Sequence, residues 1–256
     1  PIRDLFMHTS GLTYDFMHAS NVDAAYRELS VGLPRRGYHL QQMIDQLAAL
    51  PLEFSPGQRW NYSVATDVLG YLIEVISGQS LPDYMRSAIF EPLGMVDTSF
   101  EIPADKVDRL ASCYERNLQK EMVLQDDCRD SHFASRTFWS GGGGLLSTAG
   151  DYYRFCQMLL NGGELDGVRV LGRKSVELMS RNHVTHLPPT DDPWTPAGFG
   201  FGVSVQVESA FTAGGLGSPG HYGWQGYATT YFTVDPRERM IALLLGVAQV
   251  GVGVAN

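Results

Sequence analysis

The spacing of apolar side chains along the chain changes once. Between residues 39 and 90 they recur three and four apart. Leu40, Met43, Ile44, Leu47 and Leu50 share one helix face, and Pro51 ends that helix. Val68, Leu69, Leu72, Ile73 and Ile76 form the face of a second helix over 66–77, with Gly78 as its stop. A third is predicted over 81–90, closing near Pro92 and Gly94. Another opens at Ser147 or Thr148, with Asp151 near its positive end, and runs to Leu160 before Asn161-Gly162-Gly163. Residues 174–182 predict one more short helix. Residues 1–12 predict a short helix closing in the turn His8-Thr9-Ser10-Gly11-Leu12. The polar stretches 101–138 and 188–196 predict irregular surface. After Gly198 the period becomes two: Phe199, Phe201, Val203, Val205 and Val207 alternate with other residues. Residues 227–234 and 240–247 read as two strands joined by a turn at 235–239. A mainly helical region, 1–196, and an antiparallel β region, 197–256, are expected to form one intimately packed unit.

The 256 residues, 44% hydrophobic and 18% charged, suit one large or two intimate domains. No apolar run reaches membrane-spanning length. A net charge of −9 argues against nucleic acid or an anionic membrane as partner, since both demand basic patches. Cys113, Cys128 and Cys156 are odd in number and lack zinc-type spacing, so free thiols are expected and a cytoplasmic location is slightly favoured. His183 and His186 stand three apart with no third ligand nearby. Neither a metal nor a cofactor is expected. The chain opens without Met or a signal-peptide layout and runs straight into a structured motif, so it is expected to be part of a longer protein.

Five segments carry a resemblance. They are Ile2 through Leu12, containing His8-Thr9-Ser10-Gly11-Leu12; Phe54-Ser55-Pro56-Gly57-Gln58-Arg59-Trp60-Asn61-Tyr62-Ser63; Glu91-Pro92-Leu93-Gly94-Met95; Gly141 to Asp151; and Gly220-His221-Tyr222-Gly223-Trp224-Gln225-Gly226 leading to Val234-Asp235-Pro236. In this order they resemble the penicillin-recognising, class C β-lactamase-like serine hydrolases, especially the family VIII carboxylesterases. The resemblance implies an α+β, β-lactamase/transpeptidase-like fold, a helical domain packed on an antiparallel sheet with flanking helices, incomplete here at both ends.

It also implies a three-part mechanism. A Ser-x-x-Lys supplies the nucleophile. No serine here has a lysine three places on, so that pair is expected upstream of Pro1. A Tyr-x-Asn-type loop supplies the proton relay, and Tyr62-Ser63-Val64 stands there with Tyr62 as the catalytic tyrosine. Val64 replaces the asparagine that contacts a lactam side-chain amide, which favours an ester. A Lys-Thr-Gly-type strand lines the oxyanion hole, and His221-Tyr222-Gly223 stands in its place. The Trp224 N–H is then the expected oxyanion donor, with Tyr222, Gly223 and His221 lining the substrate site. His8 is expected to be structural, and Asp67 to support the Tyr62 loop. The expected partner is a small-molecule ester or amide, with oligomeric state open. Lactam hydrolysis, D-amino-peptide cleavage, acyl transfer and a non-catalytic scaffold remain as alternatives.

Overall fold

The computed structural model describes residues 1–32, 37–117, 119–131, 137–188, 195–207 and 217–249. Its helices are α1 (Ile2–Phe6), α2 (Asn21–Leu29), α3 (Leu40–Ala48), α4 (Ala65–Ser77), α5 (Leu81–Met85), α6 (Ala149–Leu160) and α7 (Arg173–Met179). α5 runs on through a π-helical turn, Arg86–Phe90. The periodic segments form helices where the apolar faces predict them. α4 stops at Gly78 in the left-handed region (φ 69), and α6 starts at Thr148, whose hydroxyl accepts from Asp151 N–H at 3.2 Å. Asp151 does more than sit at a helix start. Its carboxylate accepts from Asp97 N–H at 2.7 Å and Thr98 Oγ1 at 2.8 Å, tying α6 to the 97–98 segment.

β1 (Cys113–Arg116) and β2 (Met122–Asp126) form an antiparallel hairpin, with β9 (Ala248–Gln249) parallel to β1. β3 (Glu164–Leu165) and β4 (Val168–Arg169) form a small hairpin after α6. The main sheet is antiparallel in the order β5 (Ser204–Val205), β6 (Tyr222–Gln225), β7 (Thr230–Asp235), β8 (Met240–Leu245). β7 and β8 turn at Asp235, whose Oδ1 accepts from the Arg237 and Glu238 amides at 2.9 and 3.0 Å.

Four expectations are corrected. The 1–12 helix ends at Phe6, and His8–Leu12 is not its cap but a docked segment, described below. The alternating run 199–207 yields only Ser204–Val205 as strand. Gly202 is left-handed (φ 72), and the Phe201 amide turns away to Met179 O, so the chain folds back on itself there. The 101–138 stretch holds the β1–β2 hairpin. α2 forms where no helix was expected, started by Ser20 and Asp23, which cap each other's backbone. The expected 188–196 loop lies mostly outside the described residues.

Among the described residues three apolar clusters stand out. The first gathers α2, α3 and α4 around Tyr26, Met43, Val64, Ala65 and Phe138. The second packs α6 against β6–β8 through Met158, Leu159, Tyr222 and Val234. The third joins Met7, Trp60, Val184 and Phe199, with Tyr62 and Trp224 against it. That last cluster is the seam between helical layer and sheet.

The seam is held by backbone. Residues 8–13 lie along 53–64: Asn61 N–H donates to His8 O at 2.8 Å, Gly57 N–H to Thr9 O at 2.8 Å, Glu53 N–H to Gly11 O at 2.8 Å and Val64 N–H to Thr13 O at 3.2 Å. Gly11 is required for this approach. It is left-handed (φ 84), and a Cβ there would stand 2.3 Å from Phe54 O. Gly11→Ala combines left-handed strain with a backbone clash and should destabilise the fold by about 2 kcal/mol or more. Urea titration of the variant against the parent checks this; a change below about 0.5 kcal/mol would contradict the docking described.

Candidate active site

Tyr62 lies just ahead of α4, on the loop clamped by residues 8–13. Its half-buried ring is surrounded by rings: His8 at 5.1 Å between centroids, Tyr14 at 4.8 Å, Phe16 at 6.4 Å, Trp60 at 6.2 Å and Trp224 at 5.7 Å. Burial therefore raises its phenol above the ordinary value. Hydrogen bonding from Trp224 and Tyr14 pulls it back, and the Asp67 carboxylate adds to the rise. Among the described residues no cation is named as acting on it. Two of the chain's three lysines are paired elsewhere, Lys106 with Asp97 at 2.7 Å and Lys174 with Glu177 at 2.6 Å. Lys120 sits between β1 and β2, left-handed at φ 66.

Asp67, in the first turn of α4, is buried. Burial raises its carboxyl, against hydrogen bonds from Ser140 and the Gly142 amide. Ser140 Oγ donates to Asp67 Oδ1, and Gly142 N–H approaches it at 3.4 Å. Thus the glycine run at 141–144 wraps the start of α4, close to Tyr14.

His8 and Ser63 form a pair that looks catalytic and is not built to be. Nδ1 of His8 lies 3.1 Å from Ser63 Oγ. Ser63 is 0% exposed and His8 3%, so no acyl carbon reaches the hydroxyl. His8 sits at φ 55, edge-on to Trp60 and Phe199, and burial depresses it to about 4. It is a neutral brace under the Tyr62 loop.

On the sheet side, Trp224 faces Tyr62 and crosses Phe199 edge-on at 5.4 Å. Its backbone corrects the expected oxyanion role. Gly226 N–H donates to Thr230 O at 2.8 Å, and the register pairs Trp224 with Phe232. Strict alternation then turns the Trp224 amide into the β6–β7 ladder. Gly223 O, one residue earlier, faces β5 and accepts from Ser204 Oγ at 2.9 Å. Trp224 meets the site through its indole instead. Tyr222 is also corrected: at 1% exposure it belongs to the α6–sheet core, its hydroxyl unpartnered and burial holding its phenol protonated. Gly223 is buried within β6, where a Cβ would lie 2.0 Å from Phe232 O, so it serves close strand approach. His221 is half-buried against Gly217, and no ring contact joins it to Tyr62 among the described residues. The structure thus brings together Tyr62 and Trp224, and adds Tyr14 and Phe16, which sequence reasoning missed.

Among the described residues no group of three or more His, Cys, Asp or Glu side chains could hold a metal ion. His183 Nε2 is taken by Leu178 O at 2.7 Å. The three cysteines are free.

The sequence model described as Beta-lactamase matches residues 1–252. The chain belongs to the Beta-lactamase family. "Protein Rv1367c" of Mycobacterium tuberculosis (strain ATCC 25618 / H37Rv) is 37% identical over 254 residues, covering 95% of this chain and 61% of the relative. "Esterase EstB" of Burkholderia gladioli is 32% identical over 168 residues, 60% of this chain and 42% of that protein. Among solved structures, "EstCE1, a hydrolase with promiscuous acyltransferase activity" superposes with a TM-score of 0.81 at 25% identity, covering 96% of this chain and 66% of that one. The α+β, β-lactamase/transpeptidase-like fold is thereby established. The chain spans about three fifths of the mycobacterial relative's length.

The buried His8 gives a pH signature. Its folded value, about 4, lies below the unfolded 6.5, so between these values the unfolded chain binds the proton and the folded chain does not. Its share of stability is complete above about pH 6.5 and falls as pH drops toward 4, by about 3 kcal/mol in all. His8→Gln should flatten the denaturation free energy against pH across that window relative to the parent; equal slopes would show that His8 titrates normally.

Proposed function

We propose that the protein of which this chain forms part is a serine hydrolase that cleaves short-chain carboxylic esters through an acyl-serine intermediate, with Tyr62 as the proton relay. The observation that carries this is the half-buried Tyr62 phenol set against Trp224 on the seam between the helical layer and the sheet. The serine and lysine would come from a Ser-x-x-Lys segment outside this sequence. The lysine ammonium beside Tyr62 supplies the charge that favours phenolate, which burial and Asp67 oppose.

In the forward step the phenolate takes the serine proton as the serine oxygen bonds to the acyl carbon. The tetrahedral intermediate collapses, the alkoxide leaves, and Tyr62 returns the proton to it. Water then attacks the acyl-serine with Tyr62 again as base, and as the acyl–oxygen bond breaks Tyr62 returns that proton to the serine oxygen and the acid leaves. The Trp224 indole, backed by the buried Phe199, would wall the cleft on the sheet side, and His221, just ahead of β6, would line its approach.

Val64 supports an ester over a lactam. It is 1% exposed inside the helical core, so that position offers a substrate amide no polar contact. The names of two relatives, an esterase and a hydrolase with acyltransferase activity, point the same way.

In the full-length protein, Tyr62→Phe should lower kcat on a p-nitrophenyl ester by about 10²–10⁴-fold while KM changes little. A near-normal rate would remove Tyr62 from the mechanism. Intact-mass analysis after a fluorophosphonate should show one adduct, on a serine N-terminal to Pro1. An unlabelled full-length protein would indicate a non-catalytic member.

A further inference from the structure

β2 is the outer strand of the sheet β2-β1-β9. Its backbone groups divide between two sides. Asn117 N–H donates to Glu121 O at 3.0 Å at the hairpin turn, so those two residues form a bonded pair. The register then makes Glu115–Val123 the next bonded pair, with Arg116–Met122 and Tyr114–Leu124 unbonded. Tyr114 agrees, since its N–H donates to Val247 O on the far side of β1 at 2.8 Å. Met122 and Leu124 therefore turn their N–H and C=O groups outward, where no strand pairs with them among the described residues. The side chains along this edge are apolar and lie in water: Met122 is 54% exposed, Val123 42% and Leu124 46%. Soluble proteins blunt such an edge with proline, charge or a bulge. Met122-Val123-Leu124 has neither proline nor charge, and the irregularity in the ladder lies beyond it, between Cys113 and Tyr114.

We propose that this edge pairs with β2 of a second copy, antiparallel, about a two-fold axis through Val123. The surface is separate from the Tyr62 site and does not depend on the chemistry proposed there. About that axis Met122 faces the partner's Leu124 twice over, and each pair exchanges both of its outward N–H···O bonds. Val123 faces its own copy in an unbonded pair. Lys120 falls opposite the partner's Asp126, also twice, which offsets the repulsion between two chains of net charge −9. Asp126 is held at the strand end by Ser131 Oγ at 2.6 Å. Axes through the neighbouring residues satisfy the same backbone groups but lose this match. Through Leu124, Glu121 meets the partner's Asp127, like against like; through Met122, Lys120 meets the partner's Leu124. The charges thus select the register, and the pairing is isologous and closed, joining two three-stranded sheets into one.

The test uses the full-length protein. Sedimentation velocity from about 1 µM to about 1 mM, the span in which so small an interface associates, should show a reversible monomer–dimer equilibrium. Leu124→Pro removes an outward N–H while sparing the hairpin's own ladder, and should weaken association about tenfold or more. Val123→Lys sets like charges face to face and should weaken it about threefold or more. Should Leu124→Pro fail to fold, Val123→Lys, at an exposed position, carries the test. The register is read by cross-linking in protein carrying Cys113→Ser and Cys128→Ser. There Val123→Cys, treated with oxidised glutathione, should give a covalent dimer joined at position 123, because an unbonded antiparallel pair sets the Cα atoms about 4.5 Å apart. Leu124→Cys, offset from its own copy by two residues on each strand, should cross-link poorly. A protein that stays monomeric to about 1 mM overturns the proposal, whether its β2 amides exchange freely or are protected by another part of the same protein. A dimer untouched by both Leu124→Pro and Val123→Lys, or one that Leu124→Cys cross-links better than Val123→Cys, overturns it as well.

Discussion

A phenol inside a ring of aromatic side chains is costly to ionise, and the architecture around Tyr62 answers that constraint. Burial lifts its pKa, and the nearby Asp67 lifts it further. The counterweights are hydrogen bonds to its oxygen from Trp224 and Tyr14. These donors belong to different layers: Tyr14 follows the segment docked on the helical layer, and Trp224 lies on the sheet. The electrostatics of one oxygen therefore depend on how the two layers meet. That meeting is the cluster of Met7, Trp60, Val184 and Phe199, two of whose members, Trp60 and Phe199, make ring contacts with the site.

The precision of that meeting comes from backbone rather than from side-chain shape. Four N–H···O bonds tie residues 8–13 to 53–64 before any ring contact is counted. They fix the height of Tyr62 above α4, and they hold His8 beneath it in a left-handed conformation that a free turn would rarely keep. His8 then spends its Nδ1 on Ser63, inside the protein. Buried histidine and serine meet here, and their work is mechanical.

The sequence made the long helices legible because α3, α4 and α6 each bury a single stripe and carry their own end signals: Gly78 closes α4 and Thr148 opens α6. It hid α2, whose buried positions are only Asp23 and Tyr26, too few to mark a period even though the Ser20–Asp23 cap was in plain text. It misled at 199–207, where alternation is real but Gly198, Gly200 and Gly202 interleave the apolar residues and let the chain turn. The β1–β2 hairpin left no trace because β2 is exposed along nearly all of its length, so its side chains need not alternate. At the site, Tyr62 could be found from its neighbours in sequence. Tyr14 could not, since its link to Tyr62 spans 48 positions and obeys no local spacing. Tyr222 was misplaced for a subtler reason: it shares a sheet face with Trp224, but two residues along β6 carry that face from the seam into the α6 core.

The sign of the charges around Tyr62 adds a condition on the proposed chemistry. His8, the one imidazole among the described residues in contact with its ring, stays neutral down to about pH 4 and lends it no positive field. Asp67, held by Ser140 and the glycine run, contributes the opposite sign. Left to these neighbours, Tyr62 is a protonated phenol at neutral pH, a hydrogen-bond donor rather than a base. Trp224 and Tyr14 reduce the cost of ionising it without reversing it. An ammonium group entering the cleft would change the balance in a way neither hydrogen bond can, because a full charge at hydrogen-bond distance in a partly desolvated site outweighs a dipole. On the proposed reading the relay is therefore conditional by construction: the fold prepares the oxygen, and the arrival of the lysine with its serine turns it into a base at the moment the nucleophile is in place.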